Sequence, residues 1–191
     1  MTLDMTLEDQ LAALAGLGLG LAPGRSVEEL LHSFPREEYE HEPFTLLLFV
    51  LGIEVEAEPW GRRFSDRVWN FDTECVEGPG SYVRIARQLC RIAGRPDALT
   101  DLRDHVDLGT GEAWIEYTAG GRRRRWTADV DDDWADPLVV SYLMGELEDG
   151  DRRFHAMDNG QASVLMLLDD DQARRLNELI GEELVVPALP A

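Results

Sequence analysis

Lysine is missing from this chain: all 18 basic residues are arginine. That removes whole mechanisms, because a phosphate-loop lysine, a Schiff-base lysine and a lysine general base each need a compact ammonium on a flexible stem. Cysteine is nearly as scarce. Cys75 and Cys90 are the two present, which is no disulfide framework and points to a cytoplasmic protein. Long apolar runs are lacking too. The longest, Phe44 to Ile53, contains Thr45 and Gly52 and falls short of the ~20 residues a membrane-spanning helix needs. Asp4, Glu8 and Asp9 stand where a secretory leader would be positive, and Gly16, Gly18 and Gly20 break the apolar stretch behind them. No GxSxG, HExxH, CxxC or dinucleotide glycine fingerprint occurs, and no internal repeat.

What is present is acid. Asp and Glu number 38, giving a formal net charge of -20. Such a field repels phosphate backbones and anionic membranes, so neither nucleic acid nor a membrane is expected as partner, whereas a basic protein surface is favoured. The first sixty residues hold twelve acids against Arg25 and Arg36. The run Glu37, Glu38, Glu40 and Glu42 is its densest part and the candidate partner-binding face. The plain alternative is a solvated run that keeps the protein in solution.

The pattern of residues predicts an α+β fold. A helical N-terminal segment, residues 1–58, packs on a mostly antiparallel sheet of about five to six strands with flanking helices, residues 59–191, in one compact unit. Thr6 with Asp9, and Ser26 with Glu29, read as helix starts. Val68 to Asp72 alternates as a strand, with Trp69 and Phe71 on one side. A helix follows from Ser81 as its cap, with Tyr82, Ile85, Ala86 and Leu89 inward and Arg84, Arg87 and Arg91 outward, and Gly94 and Pro96 end it. From His105 onward the chain reads as a meander with turns at Gly109–Gly111 and Gly120–Gly121. Ala113, Ile115 and Tyr117 face one side of it, and Trp114, Glu116 and Thr118 the other. Asp136 and Pro137 open a helix to Leu147, whose buried face is assigned to Leu138, Tyr142 and Leu143. A hairpin around Asn159–Gly160 and a helix capped from Asp169 complete the order, with Leu184 to Val186 as an edge strand.

Four clusters bear on chemistry. Asp129, Asp131, Asp132, Asp133 and Asp136 superficially resemble a calcium loop, but Trp134 stands where the turn needs glycine and Val140 where a bidentate glutamate should close the site. Helix capping by Asp136 fits better. Asp72, Glu74 and Glu77 gather with His105 and Asp107 if the strand ending at Asp72 lies beside the one at His105. Asp72, Glu74, His105 and Asp107 then form a candidate divalent-metal set, with Glu74 and His105 as its acid–base pair, because a metal acidifies bound water and a carboxylate accepts the proton. Gly78 to Ser81, at a helix start, can offer amides to an anion, although the neighbouring acids oppose one. Arg122 to Arg125 is divided between two strand faces and can pair with Glu112, Glu116 and Asp129. Cys75 sits among acids that raise its pKa, which disfavours a thiolate nucleophile.

Two functional readings follow. The first is a non-catalytic acidic domain that binds a positively charged protein, with the partner physics of an immunity or antitoxin protein and no cofactor. The second is a small metal-dependent hydrolase built on the Asp72–Glu74–His105–Asp107 set.

Overall fold

The computed structural model describes residues 5–183 and 185–188. Asp4 and Leu184 lie outside them. Four short helices come first. In α1 (Leu7–Gly16) the Thr6 hydroxyl accepts from the Asp9 amide at 3.2 Å, and α2 (Val27–Ser33) starts on the reciprocal Ser26–Glu29 capping box. The acidic run itself is helical, α3 (Arg36–His41), and the apolar run is α4 (Thr45–Leu51). In the connector after α1, Leu17 and Leu19 are buried.

The remaining elements are β1 (Val68–Asp72), α5 (Ser81–Ile92), β2 (Leu99–Asp107), β3 (Glu112–Ala119), β4 (Arg122–Ala128), α6 (Pro137–Leu147), β5 (Arg153–Asn159), β6 (Ala162–Leu168), α7 (Asp170–Ile180) and β7 (Val185–Pro187). The fold is α+β, as expected. The single sheet of five to six strands is not what forms. Among the described residues there are two antiparallel sheets, one of four strands in the order β1-β6-β5-β7 and one of three in the order β2-β3-β4. The division arises because β1 pairs with β6, Val68 opposite Met166, and not with the meander that follows it in sequence.

The four-stranded sheet is covered on both faces. Phe71, Phe154, Leu165 and Leu167 enter a core shared with α5, α6 and the inner face of the meander. Val68, Met157, Val164, Met166 and Leu168 enter a second core with the N-terminal helices and α7. A strand buried on both sides has no polar face to alternate with, which is why residues 164–168 of β6 read as an uninterrupted apolar run. Gly52, at the end of α4, marks how closely the first layer approaches. A Cβ there would lie 2.4 Å from the Asn70 nitrogen, and that same amide donates to the Gly52 carbonyl at 2.9 Å. The meander is covered on one face: Ala113, Ile115 and Tyr117 are buried, while Trp114, Glu116 and Thr118 stand on the open side. Among the described residues no helix is long and apolar enough to cross a membrane.

Candidate functional site

The expected metal set depends on β1 lying beside β2, and this pairing does not occur. Asp72 ends β1 in the four-stranded sheet, where its Oδ1 accepts from the Glu74 amide at 3.0 Å. Glu74 accepts from the Gln161 side-chain amide at 2.7 Å. His105 lies on β2 in the other sheet, its ring parallel to Trp114 at 5.9 Å. Asp107 shapes the turn into β3, accepting from the Gly109 and Thr110 amides at 2.9 and 3.1 Å. Its hydrogen bonds with Thr110, foremost that from the backbone amide, hold its carboxyl below the usual aspartate range. Glu74, in the loop that follows β1, and His105, on β2 of the other sheet, thus belong to different parts of the fold. Among the described residues no group of three or more His, Cys, Asp or Glu side chains is close enough to hold a metal ion.

The other chemical candidates resolve into structure. The anion at the start of α5 is the protein's own: Asp104, on β2, accepts from the Gly80 amide at 2.7 Å and the Val83 amide at 3.1 Å. Gly80, at φ 94°, is the cap position, and Ser81 is the first helical residue rather than the cap. Asp136 caps α6 as predicted, accepting from Leu138 and from Asp129, each at 2.8 Å. Arg91 is half-buried and not simply turned to solvent. It donates to the Ser65 carbonyl at 2.6 Å and the Val68 carbonyl at 3.2 Å, tying α5 to the entry of β1. Burial pushes the Cys75 thiol up to about 11, with Asp72, Glu77 and Asp133 adding to the rise and Arg84 opposing it. Of the acidic run, Glu37, Glu38 and Glu42 are exposed. Glu40 has an internal role, since it accepts from the Leu7 amide at 3.0 Å and so caps α1 from a distant part of the chain.

The surface that stands out lies on α6. Its buried face is Val139, Val140, Leu143, Met144 and Leu147, and of the three residues assigned to it from sequence Leu143 alone is inside. Leu138 is 60% exposed and Tyr142 41% exposed. They sit four residues apart, one turn above the other on one side of the helix. The helix carries a single charge, Glu146, which accepts from Arg124 Nε at 3.0 Å. Glu146 stands four residues beyond Tyr142 on this same side, so the outward side is uncharged from Leu138 to Tyr142 and ends in an ion pair, in a chain of net charge -20. Trp126 of β4 extends this side, its ring stacked on Tyr142 at 4.1 Å. The indole is held in place by its N–H, which donates to the Tyr117 hydroxyl at 3.0 Å.

No match was found for this chain among family models, curated proteins or solved structures.

Around this apolar strip the connection from β4 to α6 presents exposed Asp129, Asp131 and Asp132, together with exposed Trp134. On the other flank of α6 a hollow of about 230 Å³ opens toward the four-stranded sheet, lined by Phe71, Ala135, Pro137, Val140, Met144 and Leu165 among others. The sequence signal that hid the surface is the helix's uniform apolarity. A helix apolar on every side reads as wholly buried, and nothing in PLVVSYLMGEL separates the packed side from the open one.

Proposed function

We propose that this protein is a non-catalytic binding domain that recognises a positively charged protein, anchored on the outward face of α6. The observation that carries this reading is the uncharged, exposed Leu138–Tyr142 face on a protein of net charge -20. Binding energy at protein interfaces concentrates in a few aromatic and apolar anchors that become fully desolvated, inside a polar rim. Tyr142 and Trp126 are anchors of that type, and Asp129, Asp131 and Asp132 supply a rim of one sign. The remaining acids, including Glu37 and Glu38 on α3 and Glu42 just after it, add the long-range field. Such a field raises the rate of encounter with a basic partner and is screened by salt. The likeness to an immunity or antitoxin protein is one of partner physics.

The test is affinity capture from the organism that encodes the chain, at low salt, with the wild type and a Leu138→Glu variant as parallel baits. A basic protein held by the wild type and lost by the variant is the expected result. The purified pair should then show an association rate that falls with salt. Capture of no basic protein, or equal capture by both baits, refutes the reading.

A further inference from the structure

We infer that the open face of the meander, on a different part of the molecule from α6, is a binding site for a small phosphate-type oxyanion, held between Arg103 and Arg123. Two independent features lead there. The first is a convergence of guanidiniums. Arg103 and Arg123 each donate an Nη2 hydrogen to the same oxygen of Glu116, both at 2.6 Å, and Arg125 reaches the other oxygen at 4.0 Å. Glu116 is 6% exposed, whereas the arginine side chains are more than half exposed. A guanidinium has five donors in a rigid fork. One bond to Glu116 orients each fork and leaves most of its donors uncommitted to that carboxylate. Three cations around one buried anion leave a local excess of positive charge on a strongly acidic protein.

The second feature is the backbone that brings Arg103 there. The pairing of β2 with β3 runs Thr100 opposite Thr118 and then Arg103 opposite Glu116, so β2 carries one extra residue. Asp101, inside this bulge, has φ 51°, a left-handed conformation that a non-glycine residue adopts at a cost. Without the bulge Leu102 would stand opposite Glu116 and Arg103 would turn toward the core, because a shift of one residue moves every side chain of a strand to the other face. The distortion therefore builds the cluster. Beside it lies a hollow of about 500 Å³ bounded by Asp101, Leu102, Arg103, Glu116, Thr118 and Arg123 among others. Two guanidinium forks and the Thr118 hydroxyl around one hollow suit a tetrahedral oxyanion, whose several acceptor oxygens can take a donor from each. Asp101 on the rim, and the charge of the whole protein, oppose the anion and set its affinity in the millimolar range. The site is accordingly one for a small phosphate and not for a polyanion.

The probe is inorganic phosphate, titrated into the full chain at constant ionic strength with chloride as the balancing anion, while the arginine Nε–Hε resonances are followed by NMR. Saturable shifts at Arg103 and Arg123 are expected. Arg123→Gln abolishes them and Thr118→Val weakens the binding. Asp101→Gly keeps the left-handed backbone, removes the rim carboxylate and tightens the midpoint by about threefold, the effect of one carboxylate at short range in water. Shifts that grow linearly, as chloride alone gives, overturn the inference. So does saturation that survives in Arg123→Gln, or a midpoint unmoved in Asp101→Gly.

Discussion

The orientation of α6 can be tested by a pair of single substitutions, Leu143→Ala and Leu138→Ala. Both remove the same atoms from the same helix, so their difference isolates burial. Leu143 is fully buried, in a core that also holds Tyr82, Ile85 and Phe154. Its truncation loses about 2.4 kcal/mol of transfer free energy, from three carbons at ~0.8 kcal/mol each, and a cavity penalty brings the total to about 3–5 kcal/mol. Leu138 is 60% exposed. It retains about two-fifths of the transfer contribution and opens no closed cavity, so its truncation costs at most about 1 kcal/mol. Urea unfolding, followed by tryptophan fluorescence and far-UV circular dichroism, measures both. The midpoints should separate clearly with m unchanged. Equal, large destabilisation by the two variants would mean that the outward face of α6 is packed in solution, which removes the surface on which partner recognition is argued.

Three further outcomes follow from particular groups. Cys75, with its thiol pushed up to about 11 by burial, should react with iodoacetamide at mildly alkaline pH roughly two orders of magnitude more slowly than a free cysteine of pKa ~8.5; a rate near that of the free thiol contradicts its burial. Glu116 is held below the ordinary glutamate range, first by the hydrogen bond from Arg123 and then by the fields of Arg123, Arg103 and Arg125, against the opposing pull of burial. A lowered folded pKa means that its contribution is fully present above the unfolded value and is lost as pH falls through the folded one, so Glu116→Gln should flatten the acid limb of stability against pH, and an unchanged limb counts against the cluster. Asp104→Ala strips the start of α5 of its acceptor for the Gly80 and Val83 amides and should cost about 1–2 kcal/mol, the value of a helix cap, with faster amide exchange confined to the first turn of α5; global loosening without that local signature would argue for a different role.

Sequence alone determined the parts of this protein that neighbours in the chain decide between themselves. Thr6 with Asp9, Ser26 with Glu29, and Asp136 with Leu138 are contacts over two or three residues, so the helix starts they set were legible from spacing. The same holds for the alternation of β3, whose inward Ile115 and outward Trp114 differ only by the pleat of the strand. Tertiary structure decided everything that depends on which elements meet. Phe71 faces Ser163 across the chain, and no local signal says that β1 belongs with β6 rather than β2. That pairing separates Glu74 from His105 and dissolves the metal set read from sequence. The caps supplied by Asp104 to α5 and Glu40 to α1 come from 24 and 33 residues away, beyond the reach of any capping pattern. The outward turn of Leu138 and the bulge at Asp101 are of the same kind. A helix apolar all round and a strand with one extra residue acquire an inside and an outside only when neighbours cover one face and leave the other to solvent.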